Sequence, residues 1–342
     1  MFVPIGCYLS ILFIISQNRN SQVMKFMLQG RKVSAVKKLL RILQKQRIAQ
    51  AVLVAVVVIN AIACIGAYTL THFSSPGEFS LGIPRPENFT IPTDIGLKYV
   101  KQRISINQTE WLETWFVPAK QSSPNGTILL FPGNGSSKGK QLLAPTKVFH
   151  ALNYDSLLVD FRGVGGSSGN TTTLGIREAK DVALVVNYAE RLNLKHPIVL
   201  YGVSMGSAAI LKALAQEKIE PDAIILELPF ARLLNAVKSR LRAVNIPSFL
   251  TAELLVFWGS IQQGFNGFAH NPVTYANQVK CPTLVFQGKQ DQWTNMTEIN
   301  ELFQNLRATK QLVIFPNAKH QLLVTVNKEY WQQSVEKFFK GV

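Results

Sequence analysis

"IVLYGVSMGSAAILKAL", residues 198–214, decides how the rest of the chain is read. It opens on a short apolar run of the kind that forms a strand buried on both faces, and closes on "SAAILKAL", which has the spacing of a helix. Ser204 stands at the seam, between Gly202 and Gly206, in the pattern G-x-S-x-G. A serine on a sharp strand-to-helix turn needs a strained backbone, and glycines two residues before and after relieve crowding where strand and helix nearly touch. The pattern alone arises by chance. At a strand-to-helix seam it points to a nucleophile.

A serine hydroxyl is a poor nucleophile unless a base takes its proton and a third group fixes that base. Of the five histidines, His72 borders an apolar run, His150 ends a predicted helix, and His196 and His270 sit in loops beside or near prolines. His320, in "FPNAKHQLL", follows the last predicted strand, where the base of a Ser…Asp…His order belongs. The acid belongs in the loop after the preceding strand, and "TLVFQGKQDQWTN" supplies Asp291. Asp222 precedes its strand and lies at the wrong edge of the sheet, while Glu227, at the end of "IILE", is the fallback acid. A purely structural helix-start role for Asp291 is the other reading.

Acyl transfer also needs donors for a developing oxyanion. One is the backbone N–H of Met205, after the nucleophile; the second is the N–H of Asn134, in the glycine turn of "TILLFPGNG" (127–135). Two nearby segments are decoys. "NGSSKGKQ" (134–141) fails the phosphate-loop pattern at Asn134 and at Gln141, and "RGVGGSSG" (162–169) has no acidic ribose partner. Ser167 and Ser168 are read as turn residues.

Around these motifs, apolar strand-like runs alternate with amphipathic helices at about 176–192, 207–216, 295–307 and 328–340. The alternation predicts an α/β fold with a mostly parallel sheet covered on both faces. Two further strands are expected in "LKYVKQRISI" and "EWLETWFVPA". Residues 232–276 break the rhythm. They form either a helical lid above the carboxyl edge of the sheet or ordinary helical cover.

The net charge of +16 is not a nucleic-acid signature once it is located. Nine basic residues, from Arg19 to Arg47, precede the first acid, Glu78. They flank "AQAVLVAVVVINAIACIGAYTL" (49–70), which is uncharged and long enough to cross a bilayer. By the positive-inside rule the basic segment stays cytosolic, and the rest of the chain lies on the periplasmic, lumenal or extracellular side. Residues 32–47 read either as an amphipathic surface helix or as a solvated linker. Residues 2–16 are apolar but short: a second membrane segment, or sequence upstream of a start at Met24 or Met27.

The expected organisation is an N-terminal apolar and basic segment (1–48), a transmembrane helix (49–70), a Pro/Gly/Ser-rich linker (71–94) and a catalytic domain (95–342). Three cysteines give neither a disulfide framework nor metal-ligand spacing. Six N-x-[ST] triplets begin at Asn88, Asn107, Asn125, Asn134, Asn170 and Asn295, of which Asn134 conflicts with an oxyanion role.

Together, "TILLFPGNG", "LLVDFRGVGGSSG", "LYGVSMGSAAILKAL", "LELPF", "TLVFQGKQD" and "NAKHQLL" resemble, in order, the α/β-hydrolase superfamily over roughly residues 97–340, and within it the membrane-anchored serine hydrolases with one N-terminal span. The resemblance implies an α/β-hydrolase fold, a Ser204–Asp291–His320 triad and no cofactor. Pro132 stands where many relatives have histidine, which puts the details of the oxyanion turn in question. The expected activity is hydrolysis of a carboxylic ester or thioester, on a small-molecule, lipidic or acylated substrate at the membrane. A peptidase or amidase with the same triad, and a catalytically silent binding protein, are the alternatives.

Overall fold

A computed structural model describes residues 31–75 and 81–342, with side chains from Lys38 onward. The expectations for residues 1–30 lie outside the described residues. The chain divides into two compact units, Met1–Ile62 and Ala63–Val342.

Helix α1 runs unbroken over Arg31–Thr71, so the expected span at 49–70 is the C-terminal part of a longer helix. No glycine or proline interrupts the sequence between Arg31 and Ile65, and the Lys/Arg/Leu/Gln-rich start is made of good helix formers. Among the described residues one helix, over Lys38–Thr71, is long and apolar enough to cross a membrane. Val52, Leu53, Val57 and Ile62 on it are exposed, as on a helix that is apolar all round.

After α1 come two short paired strands, β1 (Phe73–Ser74) and β2 (Ile83–Pro84). The main sheet follows: β3 (Val100–Ser105), β4 (Trp111–Val117), β5 (Thr127–Phe131), β6 (Asp155–Val159), β7 (Ile198–Val203), β8 (Ala223–Glu227), β9 (Thr283–Gly288) and β10 (Lys310–Phe315). Its order is β3-β4-β6-β5-β7-β8-β9-β10, parallel from β6 to β10 and antiparallel at the β3–β4–β6 edge.

The helices are α2 (Lys138–Gln141), α3 (Leu143–Ala151), α4 (Glu178–Arg191), α5 (Met205–Gln216), α6 (Leu233–Ala243), α7 (Thr251–Gln263), α8 (Pro272–Tyr275), α9 (Met296–Asn305), α10 (Leu323–Val326) and α11 (Lys328–Phe339). Strands β5, β7, β8 and β9 are buried along their whole length because helices cover both faces. Their two-residue period sorts the core. Leu129, Phe131, Leu200 and Leu226 face α4 and α5, whereas Ile128, Leu130, Val199 and Ile225 face α3 and α11.

Of the segment expected as a stand-off linker (71–94), the described residues 71–75 and 81–94 are hydrogen-bonded to the domain at Phe73 and Arg85. Phe73 N–H bonds the Asn170 carbonyl at 2.7 Å, and Arg85 donates to the carbonyls of Gly165, Ser167 and Gly169. Its described prolines and Gly82 stand in short or irregular stretches of backbone tied down by the Arg85 side chain, which sequence alone does not separate from free chain. Asn88 binds Asp160 at 2.7 Å, and Asn295 caps α9, so both of these triplet asparagines have folded-state roles. Residues 232–276 form α6, α7 and α8 between β8 and β9.

Candidate active site

The seam at Ser204 is as tight as its glycines imply. A Cβ on Gly206 would stand 2.5 Å from the Phe131 carbonyl oxygen, so only glycine lets α5 start this close to β5. Ser204 itself has φ 52 and ψ −106, a strained conformation for a residue with a side chain. Its N–H bonds the Glu227 carbonyl at 2.8 Å, which pins the elbow to β8.

Ser204, His320 and Asp291 come together from the ends of β7, β10 and β9. His320 Nε2 lies 3.1 Å from Ser204 Oγ, and His320 Nδ1 lies 2.7 Å from Asp291 Oδ2. With Nδ1–H donating to the carboxylate, Nε2 is left as the acceptor facing the hydroxyl. A Cβ on Gly288 would stand 2.6 Å from the Ala318 carbonyl, so this glycine lets the His320 loop pack onto the Asp291 loop.

Burial works against a charge on Asp291, but the His320 ring, the Trp293 N–H (2.8 Å) and the Gln287 amide (3.0 Å) outweigh it and hold the carboxyl below its usual range. Gln287 and Trp293 were not legible as site residues. Gln287 is a buried strand residue, and the Trp293 ring lies 4.4 Å from the His320 ring.

The other candidates stand elsewhere. Glu227 accepts from Tyr201 Oη (2.8 Å), Trp331 Nε1 (2.9 Å) and the Leu323 N–H (2.6 Å), which fixes the start of α10 and the face of α11. Burial pushes its carboxyl up, against these three donors. Asp222 binds His196 at 2.7 Å and the Ile198 N–H at 2.6 Å, at the amino end of β7. His270 is buried against the Leu174 carbonyl, and burial takes it down to about 3, so it is neutral.

Asn134 and Met205 are neighbours, because the Thr172 hydroxyl reaches the Asn134 side-chain oxygen (3.2 Å) and Met205 Sδ (3.4 Å). Met205 is the first residue of α5, where a backbone N–H has no intrahelical acceptor. The turn is placed by Gln141, whose side-chain oxygen accepts from the Gly133 N–H at 2.6 Å, and a Cβ on Gly133 would lie 3.4 Å from Ser204 Cβ.

The phosphate-loop decoy hides a different structure. Lys138 is fully buried, paired with Asp160 and with Glu113 (3.1 Å), and its ammonium lies 4.4 Å from the Trp115 ring centroid. Asp160 also accepts from the Lys138 N–H (2.8 Å) and the Gly166 N–H (3.2 Å), which ties the "RGVGGSSG" turn to the start of α2. Among the described residues no group of three or more His, Cys, Asp or Glu is arranged to hold a metal.

With this geometry in hand, the profile of the prolyl oligopeptidase family matches residues 144–342, which include Ser204, Asp291 and His320 but not Asn134. The chain is 28% identical over 198 residues to protein YqkD of Bacillus subtilis, covering 57% of this chain and 65% of that one. It is 26% identical over 193 residues to lysophosphatidylserine lipase ABHD12 of Macaca fascicularis, covering 52% and 44%. The chain thus spans between about half and two thirds of the length of these relatives. The esterase Pf2001 of Pyrococcus furiosus shares the fold with a TM-score of 0.63 at 22% identity, over 75% of this chain and 96% of that one. An eight-stranded α/β-hydrolase sheet, an elbow serine and a matching profile over more than half its length place this chain in the prolyl oligopeptidase family of the α/β-hydrolase superfamily.

Proposed function

We propose that this chain is a membrane-tethered serine hydrolase that cleaves the carboxylic ester or thioester of a single-chain acyl substrate through an acyl-enzyme on Ser204. The observation that carries the reading is the hydrogen-bonded series Ser204–His320–Asp291 at the strand ends. Ser204 Oγ attacks the acyl carbonyl as its proton passes to His320 Nε2. The oxyanion forms against the N–H groups of Met205 and Asn134. His320 then gives the proton to the leaving alcohol or thiol, and a water activated by the same Nε2 releases the acid.

The lipidic substrate is supported by an apolar cavity of about 70 Å³ whose lining includes Ala67 and Leu70 of α1, Leu174, Val237, Leu255 and Gly259. Ala67 and Leu70 belong to the last turns of the candidate span, so the cavity adjoins the span. The name of the relative ABHD12 points the same way. We read 232–276 as a lid whose exposed Ile246, Phe249 and Leu250 touch the bilayer. The domain faces away from the cytosol, as the basic residues before the span imply.

A fluorophosphonate probe should label the full-length protein in membranes and leave Ser204→Ala unlabelled; equal labelling of both rules the proposal out. A C-terminal alkaline phosphatase fusion, active only outside the cytosol, tests the orientation. A peptidase or amidase reading is favoured by the family whose profile matches. Faster cleavage of aminoacyl amides than of acyl esters would establish it.

A further inference from the structure

Thr172 touches both residues whose backbone N–H groups are to meet the oxyanion. Its hydroxyl oxygen lies 3.2 Å from the Asn134 side-chain oxygen, 3.4 Å from Met205 Sδ and 3.1 Å from Glu178 Oε1. Its own N–H is bonded to the Thr71 carbonyl at 3.0 Å, which fixes its backbone. All three neighbours of the hydroxyl are acceptors, and a hydroxyl has one hydrogen to give.

Glu178, the first residue of α4, decides where that hydrogen goes. Its carboxylate is buried, and its other donors come from the same loop. Oε1 takes the Thr173 N–H (2.8 Å), and Oε2 takes the Gly175 N–H (3.0 Å) and the Thr173 hydroxyl (2.6 Å). The Thr173 oxygen accepts the Arg177 N–H at 2.8 Å, so its hydrogen is free to go to Glu178. A buried carboxylate needs such donors, and a hydrogen bond to it is stronger than one to an amide or a thioether. The Thr172 hydrogen therefore points at Glu178, and its lone pairs face Asn134.

An amide oxygen 3.2 Å from those lone pairs is repelled. The two ends of an amide have the same shape, and Asn134 Nδ2 has no acceptor among the described residues. Turning the amide end for end thus loses no bond and gains one, from Nδ2 to Thr172 Oγ1. The turn that carries Asn134 needs this hold. It is closed by one long bond, from the Ser136 N–H to the Gly133 carbonyl at 3.3 Å, and passes through Gly135 at φ 68. Gln141 fixes the Gly133 side and leaves the Asn134 side to Thr172.

We propose that Thr172 and Glu178 are positioning residues of the oxyanion turn: Glu178 orients the Thr172 hydroxyl, which accepts the Asn134 amide and so aims the Asn134 backbone N–H at a carbonyl oxygen held over Ser204. This rests on the serine-hydrolase reading above. Both residues are buried and act through Asn134.

The test uses the full-length protein in nanodiscs with a short p-nitrophenyl ester. Thr172→Val, which keeps the shape and removes the hydroxyl, should lower kcat by about 10- to 100-fold, less than loss of a whole oxyanion donor, with little change in KM. Thr172→Ser should keep most of the rate. A trifluoromethyl ketone reads the oxyanion directly: Ser204 Oγ adds to its carbonyl carbon, the hydroxyl proton passes to His320, and the carbonyl electron pair stays on oxygen. Its affinity should fall in Thr172→Val by the same factor as kcat/KM, while the corresponding trifluoromethyl alcohol, which forms no adduct, binds as before. An unchanged kcat, a loss confined to KM, or equal losses in Thr172→Val and Thr172→Ser overturns the proposal.

Asn134→Ala keeps the backbone N–H and removes only the held side chain, so it should lose rate like Thr172→Val, and the double variant should lose little more than either alone. Additive losses, or full activity in Asn134→Ala, overturn the proposal even if Thr172→Val fails to fold. If Ser204→Ala hydrolyses the ester as well as wild type, the serine-hydrolase reading fails. Coupling between Asn134→Ala and Glu178→Gln in thermal unfolding, measured without turnover, then still decides whether the series exists.

Discussion

Asp291 grips His320 through Nδ1 at 2.7 Å with the same oxygen, Oδ2, that accepts the Gln287 amide at 3.0 Å. The acid is therefore oriented by β9 itself, and the imidazole by the acid.

Asp291→Asn should lower kcat by about 10⁴-fold, because an amide facing Nδ1 favours the wrong tautomer. Glu227→Gln should keep fluorophosphonate labelling, because Glu227 bonds Tyr201, Trp331 and Leu323 and not His320. Loss of labelling in Glu227→Gln with retention in Asp291→Asn would reverse the assignment of the acid.

Lys138→Met should destabilise the folded domain by about 3–5 kcal/mol, since it leaves Asp160 buried without its cation. Glu113 keeps Lys101 at 2.7 Å, so the loss falls mainly on Asp160. Denaturant titration of the detergent-solubilised protein measures it, and a loss below about 1 kcal/mol, the scale of an exposed pair, would contradict the burial argument.

Gly259→Leu should shorten the preferred acyl chain. A Cβ at this position meets only Thr71 Cγ2, at 4.0 Å, so the new side chain grows into the apolar cavity with little strain. The readout is a chain-length series of p-nitrophenyl esters, in which short chains lose far less rate than long ones.

Asp181 in α4 predicts a pH slope. Burial raises its carboxyl to about 7, against the pull of Arg162 at 2.9 Å and with a push from Glu178. The unfolded carboxyl titrates near 3.8, so between that pH and about 7 the folded chain holds a proton that the unfolded chain has released. The contribution is full below the unfolded value and is lost as pH rises through about 7. Tm of Asp181→Asn minus wild type should therefore rise with pH over this window; a flat difference would mean that Asp181 is ionised throughout.

The parts of the fold that depend on short-range pattern were legible. Strands β5, β7, β8 and β9 are apolar runs because both faces are covered, and the Ser204 elbow joins two such patterns. His320 and Asp291 were picked out by order along the chain, and the sheet topology brings them within hydrogen-bond distance of each other. Lys138, Glu113 and Asp160 were not legible as partners, because their pairing is set by β4 and β6 lying side by side and no local spacing records it. Arg85 was missed for the same reason. Its acceptors are carbonyls of a turn about eighty residues away, and carbonyls leave no mark in a sequence.

Thr172 gives its backbone N–H to the Thr71 carbonyl, at 3.0 Å, and its hydroxyl oxygen lies 3.1 Å from Glu178 Oε1 and 3.2 Å from the Asn134 side-chain oxygen. The last turn of α1 is thus one residue removed from the proposed oxyanion donors. Cutting the chain after Thr71 to obtain a water-soluble fragment would take away the Thr172 acceptor and a wall of the apolar cavity together. Rates measured on such a fragment would describe an altered catalyst, and inhibitors selected against it would be fitted to a pocket that the intact protein does not have.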